Sequence, residues 1–371
     1  MDENRCRWLN DRATWKRPDR PHERHSFSHS PSPLSATAHA SNTERRMHAG
    51  GTLPRMAGAR GKVRESFAQI LVDDEAFAGW RADKLACREN APTPPAVPVK
   101  DPFHLTRREL SGMRDCVRHH NLFIYDLGRP GDDGREDPDN DALLPALCSQ
   151  LGLTDPLPNP TADHRGISRI EAVRQDHPQA GAKERARYIP YTRKRLNWHT
   201  DGYYNPAESR IHAFALHCVR SALSGGENRL LDPEMLYILL RDHSPRLARA
   251  LCHPEAFLIP ADDDASGSGR REFRGPVFSI DEETGTLYTR FTRRRHNIVW
   301  RKDADTREAV EFIASLLDSP HPAILRWTLG PGQGIVCNNV LHCRTAFEDR
   351  PGKENGRLLH RLRFRQRITP H

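Results

Sequence analysis

The chain has 371 residues, of which 36% are hydrophobic and 29% are charged, and its formal net charge is +8. No run of apolar residues approaches the ~20 that a membrane-spanning helix requires, so we expect no such helix. The charge is concentrated at the start, because residues 1–62 contain 12 basic and 6 acidic residues (12 minus 6, net +6), which leaves +2 for the rest. The basic balance therefore says little about what the folded part binds.

The first 62 residues combine Arg, His, Ser and Pro with few periodic apolar positions, which predicts a disordered basic tail. Two interpretations of this tail remain open. In the first, the true start is Met47 or Met56 and the earlier residues are a wrongly assigned leader. In the second, the tail is a transit peptide, which its early acidic residues disfavour, so the late start is preferred.

Residues 63–104 are predicted to form a helical lead-in followed by a Pro-rich linker. Apolar residues from Phe67 to Leu85 recur at helical spacing, and the prolines from Pro92 to Pro98 then interrupt the pattern. Residues 105–371 are predicted to form the main domain.

This main domain alternates a few helices with many short extended runs. Helices are predicted near residues 105–119, 141–151, 232–241 and 305–317, where apolar residues recur every three or four positions. Strands are predicted near residues 121–125, 211–219, 256–259, 276–280, 286–290, 323–327, 334–337 and 357–368. Polar loops are predicted at 128–140 and 262–274. Many short strands with Gly/Pro turns favour a mostly-β jelly-roll or barrel with flanking helices.

The eight cysteines are scattered, and no pair has the CxxC spacing. No secretory signal precedes them. Reduced thiols and a cytoplasmic location are therefore expected.

A His-x-Asp pair, His199 and Asp201, is followed 143 positions later (342 minus 199) by His342. Residues i and i+2 of an extended chain face the same way, so the pair can reach one metal ion from a strand end. Two histidines and one carboxylate suit Fe(II) and leave positions open for a co-substrate and O2. A surface histidine is the plainer interpretation, because the chain contains 20 histidines.

Arginines alternate along the last predicted strand, where Arg357, Arg361 and Arg363 face one side together with Leu359. An oxygenase that consumes a 2-oxo acid needs a fixed cation for the far carboxylate, and the planar fork of arginine pairs with a carboxylate bidentately. Arg357 and Arg361 can thus point into a barrel beside His342. The alternative is an edge strand that carries solvated arginines.

Taken together, three blocks resemble the taurine dioxygenase (TauD/TfdA) family of Fe(II)/2-oxoglutarate-dependent dioxygenases. Within about residues 105–367 they are Trp198-His199-Thr200-Asp201, Ser224-Gly225-Gly226-Glu227-Asn228, and Asn339-Val340-Leu341-His342 with Arg357-Leu358-Leu359-His360-Arg361. The resemblance implies a double-stranded β-helix, the jelly-roll of clavaminate synthase/TauD-like proteins. It implies hydroxylation or desaturation of a small anionic substrate, with release of succinate and CO2.

The same resemblance assigns roles to individual residues. It implies Fe(II) on His199, Asp201 and His342, 2-oxoglutarate on Arg357, and the substrate anion on Arg361.

Two departures from the family pattern affect the co-substrate site. Asn228 stands where the family often has a threonine whose hydroxyl contacts 2-oxoglutarate, and an amide can still donate to a carboxylate. The segment between His342 and Arg357 is longer than in taurine dioxygenase itself, so Arg344 and Arg350 are the fallback candidates for the co-substrate arginine.

Residues beside these motifs have weaker assignments. Tyr203 and Asn205 follow the His-x-Asp pair and are predicted to line the substrate cavity. Asn197 and Asn339 flank the candidate ligands and either orient them or form core hydrogen bonds. The basic run from Arg290 to His296 is either a contact to a substrate anion or, as we favour, a solvated loop.

Two other functional classes compete with the dioxygenase hypothesis. A zinc hydrolase would use the same two histidines and aspartate to activate water. A non-catalytic binding module of the same fold would use its basic tail to contact RNA, DNA or acidic partners. For the dioxygenase we expect a small-molecule substrate, no specific nucleic acid and no membrane as partners, and the pattern is compatible with a homo-oligomer.

Overall fold

A computed structural model describes residues 67–128, 140–173, 188–261, 271–294, 298–350 and 356–370. They belong to a compact unit that spans Glu65–His371. The predicted tail at 1–62, most of the loop at 128–140, most of the loop at 262–274, and the end of the basic run, Arg295 and His296, lie outside the described residues. Among the residues that are described, no helix is both long and apolar enough to cross a membrane.

Four of the described helices (α2, α3, α5 and α7) begin where a side chain accepts hydrogen bonds from free backbone N–H groups. The bounds of the described helices are α1 Phe67–Val72, α2 Asp74–Asn90, α3 Arg107–His120, α4 Asn140–Ser149, α5 Pro233–His243, α6 Pro245–Leu251 and α7 Ala304–Asp318. Thr106 and Glu109 form a reciprocal capping box at the start of α3, and Asn121 ends this helix in a left-handed conformation. Asp232 caps α5, and Pro233 occupies its first turn.

The strands form two principal sheets, which are antiparallel except for the parallel pair of β1 and β2. In chain order the strands are β1 Ala96–Pro98, β2 Leu122–Asp126, β3 Ser168–Glu171, β4 Leu196–His199, β5 Ala213–Arg220, β6 Ser224–Gly225, β7 Asn228–Leu231, β8 Phe257–Ile259, β9 Phe273–Gly275, β10 Phe278–Ile280, β11 Leu287–Thr289, β12 Val299–Trp300, β13 Ile324–Trp327, β14 Gln333–Cys337, β15 Leu341–Arg344, β16 Phe347–Glu348 and β17 Leu358–Phe364. The large sheet has the order β1-β2-β14-β5-β17-β3, and the small sheet has the order β13-β7-β15-β4. Smaller sheets of two or three short strands complete the fold.

Alternation along the strands of the large sheet divides the core into two layers. The inner core contains residues of both sheets, including Ile124, Phe214, Leu216, Leu230, Ile335, Cys337 and Leu359. The outer core packs the other face of the large sheet against α3 and α4, and it includes Met113, Phe123, Leu144, Leu147, Leu362 and Phe364. Full burial of one such side chain stabilises the fold by about 1.5–3 kcal/mol. Because Leu359 faces the inner core, so do the arginines that alternate with it.

The structure confirms most of the predicted elements, corrects one and shortens another. The segment predicted as a linker through Pro98 ends in β1, which pairs in parallel with β2 at the edge of the large sheet. Three residues that contain a proline give no readable period, and an edge position tolerates the missing N–H of Pro98. The predicted strand at 357–368 is shorter, since β17 ends at Phe364.

Candidate metal centre

The small sheet brings the two candidate histidines face to face. His199 is the last residue of β4, and it pairs directly with His342 of the neighbouring strand β15. Their ring centroids are 4.2 Å apart. Asp201 lies two residues beyond the end of β4, with its Oδ1 atom 3.5 Å from Nε2 of His199 and 4.0 Å from Nε2 of His342. The three side chains thus offer ligand atoms that all lie within 4.8 Å of one another.

Backbone carbonyl groups determine which ring nitrogen each histidine presents. Nδ1 of His199 is 2.8 Å from the carbonyl oxygen of Asn197, and Nδ1 of His342 is 3.0 Å from that of Val340. A carbonyl oxygen only accepts, so Nδ1 carries the proton in both rings and donates it. The Nε2 lone pairs remain free, and both belong to the group of atoms around Asp201 Oδ1.

Asp201 is held from two sides. The side-chain oxygen of Asn339 accepts from the backbone N–H of Asp201 at 2.8 Å, and the amide nitrogen of Asn339 donates to the carbonyl oxygens of Asp201 and Ile211 at 3.0 and 2.7 Å. On the carboxylate itself, Oδ2 accepts from Nε of Arg363 at 2.6 Å. One carboxylate oxygen is therefore engaged by protein, and Oδ1 faces the histidines.

The charges at this site favour an ionised Asp201 beside a neutral imidazole of His342. Burial opposes ionisation of Asp201, but the positive charges of Arg363 and Arg361 hold its pKa well below the usual value. Burial, together with the neighbouring His199, lowers the pKa of His342 to about 3. Both protonation states are those that a metal ligand requires at neutral pH.

Strand β17 places Arg361 and Arg363 along the inner face. Arg361 is 8% exposed, its Nη1 lies 3.9 Å from Asp201 Oδ2, and its buried Nε has no hydrogen-bond partner. Burial and the charge of Arg363 lower the pKa of Arg361 to about 10. Tyr191 and Tyr204 are close enough to both arginines to influence their pKa values.

Arg357 immediately precedes β17 and has a separate environment. Its guanidinium carbon lies 5.1 Å from the ring centroid of Phe347. A Cβ atom added to Gly226 would lie 3.4 Å from Nε of Arg357, so the bare backbone there leaves room for the arginine. Only 5% of Arg357 is exposed, yet within the described ranges its guanidinium makes no hydrogen bond to protein. It is available to an anion.

The fallback arginine Arg344 has other partners. Its guanidinium donates to the backbone carbonyl oxygens of Pro190, Thr192 and Lys194 at 3.3, 2.9 and 2.5 Å. These hydrogen bonds connect β15 to the segment before β4, so Arg344 has a structural role. Arg350, the other fallback, also has interactions within the protein.

The remaining predicted site residues differ in what their polar groups do. The amide of Asn228, on β7, donates to the carbonyl oxygen of Trp327 at 3.3 Å. Tyr203 is 4% exposed and packs edge-on against Tyr204, with 5.0 Å between the ring centroids. The amide of Asn205 donates to the carbonyl oxygen of Ser209 at 2.8 Å, within the turn that follows Asp201.

Two arginines with positions in this region were not identified by sequence reasoning. Arg363 was placed on the correct face, but its bond to Asp201 was not predicted. Arg290 was assigned to a solvated loop, and that prediction is wrong, because Arg290 is 3% exposed and its guanidinium donates to the carbonyl oxygens of Tyr203 and Asn205. The apolar residues around Arg290, which continue β11, were the available signal.

Comparison with known proteins shows where this arrangement belongs. Residues 90–363 match the model of the family described as Taurine catabolism dioxygenase TauD, TfdA family. The chain belongs to the TauD/TfdA family. A member of this family is a dioxygenase that uses Fe(II) and 2-oxoglutarate, and the ligand set of two histidines and an aspartate fits that metal.

Individual relatives agree with the family. The chain is 32% identical over 245 residues to the uridine-5'-phosphate dioxygenase of an Amycolatopsis species, covering 63% of this chain and 82% of the relative. Among solved structures, the non-heme iron oxygenase OrfP has a TM-score of 0.50 at 17% identity, covering 81% of this chain and 90% of OrfP. An asparagine oxygenase complex with Fe(II), 3-hydroxyasparagine and succinate has a TM-score of 0.46 at 19% identity, covering 70% and 78%. The OrfP likeness shows the double-stranded β-helix fold.

Proposed function

We propose that His199, Asp201 and His342 are the Fe(II) ligands of this dioxygenase. The observation that carries this assignment is the convergence of two free Nε2 atoms and one free carboxylate oxygen, while every other polar atom of the three side chains is engaged by protein. Two imidazoles and a carboxylate are the ligand set of non-haem Fe(II) oxygenases.

Arg357 is the proposed partner of the far carboxylate of 2-oxoglutarate. Its buried guanidinium has donors to spare, and the glycine pair 225–226 together with Phe347 forms the wall beside it. A bidentate arginine–carboxylate pair is strongest where water is excluded. Asn228 is the second proposed co-substrate residue. Its amide donates to Trp327, so any contact to the carboxylate would use its second amide hydrogen.

The bound iron and co-substrate together supply O2 activation, coupled to decarboxylation of 2-oxoglutarate to succinate and CO2. The residues of this chain orient the proposed metal ligands and exclude water from the site. Asn339 and Arg363 fix the position of Asp201, and the carbonyl groups of Asn197 and Val340 fix the two imidazole rings. The ligands themselves are largely buried, which keeps bulk water away from the reacting centre.

The proposed substrate is a small organic anion that is bound through Arg361 and hydroxylated. Arg361 is buried beside the three proposed metal ligands. Its Nε has no hydrogen-bond partner, so an anion would satisfy an otherwise unmet donor. Uridine 5'-phosphate is the first candidate, because the Amycolatopsis relative acts on it by name. Tyr203 is a proposed wall of the cavity. Asn205 remains a weaker candidate, because its amide is engaged within its own turn.

The zinc hydrolase and the binding module are not favoured, because the matched family consists of dioxygenases. The guanidinium of Arg357, which makes no hydrogen bond to the described residues, would also have no function in a hydrolase. A cytoplasmic location and the absence of nucleic-acid or membrane partners remain predictions.

The test is formation of succinate by the purified, Fe(II)-loaded protein with 2-oxoglutarate under air. We expect slow iron-dependent succinate formation without substrate, faster formation with uridine 5'-phosphate, and no acceleration by uridine, which lacks the anion. Arg357→Ala should abolish both rates. Arg361→Ala should abolish only the acceleration, and Arg365→Ala, at an exposed position just beyond β17, should change neither. Acceleration by uridine equal to that by its phosphate would overturn the anion proposal.

A further inference from the structure

A cavity of about 230 Å³ is lined by none of the three candidate metal ligands, although one of its lining residues, Leu230, pairs across the strands with His342. Its walls come from the end of α2, the linker that follows it, the end of α3 and the start of β13. It shares no lining residue with the proposed iron or 2-oxoglutarate sites. The walls combine an apolar part, formed by prolines and by side chains such as Leu122, Leu230 and Ile324, with a polar part that contains two buried nitrogen-rich side chains, Arg88 and His120.

The two buried side chains present hydrogen-bond donors without acceptors. Nη1 of Arg88 is 2.8 Å from Nδ1 of His120, and a guanidinium only donates, so Nδ1 of His120 accepts. The imidazole proton therefore resides on Nε2, which is buried and has no partner. Arg88 is 7% exposed and His120 3%. Across the described ranges, the guanidinium of Arg88 makes no second hydrogen bond, so each of the two side chains retains a donor without an acceptor.

A buried carboxylate, Asp232, also lines the cavity, but its oxygens are already used. Oδ1 accepts from the amide of Asn121 and from the backbone N–H of Glu234, both at 2.9 Å. Oδ2 forms an ion pair with Nζ of Lys84 at 2.8 Å. Lys84 pairs with Asp232 and also with Glu234 at 2.6 Å, whereas Arg88 forms no ion pair among the described residues, so Asp232 compensates its charge only in part. The other arginine of the lining, Arg326, is exposed at the rim.

We propose that this cavity is a second ligand site, which binds a small organic monocarboxylate. The carboxylate would accept from Arg88 and from the Nε2–H of His120, and the apolar body would contact Leu122, Leu230 and Ile324. A single negative charge matches the single spare cation, whereas a phosphate dianion would bring a second charge towards Asp232. The volume fits a molecule of the size of benzoate.

The test measures binding of benzoate to the full chain by calorimetry, without iron or 2-oxoglutarate, so its outcome is independent of the proposed function. We expect saturable binding to the unmodified protein that Arg88→Met weakens at least tenfold. His120→Leu should weaken it similarly. The matched controls are Arg81→Met, on the same helix but paired at the surface with Asp242, and His119→Gln, next to His120 but outside the lining. Both controls should bind as the unmodified protein does.

Two further variants keep the test decisive. Leu325→Trp fills the cavity from its rim without changing any charge, so it should also prevent binding, and it replaces Arg88→Met if that variant does not fold. Arg357→Ala should leave benzoate binding unchanged. The proposal is overturned if the unmodified protein does not bind benzoate, if phosphate binds as tightly, or if Arg88→Met and Leu325→Trp retain affinity. It is also overturned if Arg357→Ala abolishes binding, since benzoate would then occupy the co-substrate site.

Discussion

Two buried aspartates, Asp201 and Asp232, resemble each other in environment and differ in what they leave free. They are 3% and 2% exposed. Burial opposes ionisation of each, yet nearby cations hold the pKa of each carboxyl below its usual value, chiefly Arg363 for Asp201 and Lys84 for Asp232. Burial and charge pairing therefore do not distinguish them.

The two aspartates differ in the surroundings of their second carboxylate oxygen. Both oxygens of Asp232 face protein donors, and the residue caps α5. In Asp201 only Oδ2 has a close protein donor, and Oδ1 faces two imidazole nitrogens that also lack donors. Three acceptors that converge without a donor are unfavourable unless a cation lies between them. Unmet acceptors, rather than a perturbed pKa, therefore distinguish the candidate metal ligand Asp201 from Asp232.

The largest expected effect comes from removing the free oxygen. Asp201→Asn should weaken Fe(II) binding by more than about 100-fold, because changing residues that merely orient metal ligands already costs ~10–100-fold. Anaerobic Fe(II) titration, with circular dichroism as the control for folding, measures this. An Asp201→Asn protein that binds Fe(II) normally would remove Asp201 from the ligand set.

Asp232→Ala should affect stability and not iron. The substitution removes one of the two carboxylates that pair with the buried Lys84, the other being Glu234, and it removes the cap of α5, so we expect a loss of roughly 3–5 kcal/mol in the free energy of unfolding. Urea denaturation measures it, and the Fe(II) affinity of the folded fraction should be unchanged. Equal urea midpoints for the variant and the unmodified protein would contradict the structural role.

Asn339→Ala should weaken Fe(II) binding by about 10–100-fold, because the amide that holds the backbone of Asp201 is lost. Asn339 has a φ of 43°, a left-handed conformation that alanine adopts poorly. Asn339→Gly separates the two causes, since glycine adopts this conformation without strain. If Asn339→Gly restored normal affinity, backbone strain and not the amide would explain the loss.

The smallest effect is a pH dependence from the second region. Burial, with the charge of Arg88, lowers the pKa of His120 to about 3, against an ordinary value of 6.5. Between these values the unfolded chain binds a proton that the folded chain does not, so stability falls as the pH falls through this window. From pH 6.5 to pH 5 we expect His120 to contribute a loss of roughly 1–2 kcal/mol. Urea denaturation at both pH values should show a correspondingly smaller loss for His120→Gln.

The sequence predicted the parts of the site that local patterns encode. The His-x-Asp pair, the distant His342 and the common face of Arg357, Arg361 and Arg363 follow from short motifs and the two-residue period of a strand. Contacts between remote segments were not predictable. Arg363 and Asn339 reach Asp201 across 162 and 138 positions, and no local pattern specifies such pairs.

The same reason explains the errors. Arg290 belongs to a basic run that is typical of a solvated loop, and only the tertiary structure encloses it under the turn at Tyr203 and Asn205. β1 is a strand because β2 lies beside it, and not because its own three residues prefer that conformation.

The direct pairing of β4 with β15 has a consequence for biosynthesis. His199 and Asp201 are made early, but Asn339, His342 and Arg363 are made more than 130 residues later. Ribosomes add about 5–20 residues per second, so several seconds pass between the synthesis of His199 and Asp201 and that of Asn339, His342 and Arg363. A nascent chain arrested before residue 342 would lack one proposed ligand, and one arrested before residue 363 would lack the arginine that fixes Asp201. With the proposed ligand set, the complete iron site would form only after β17 has been synthesised.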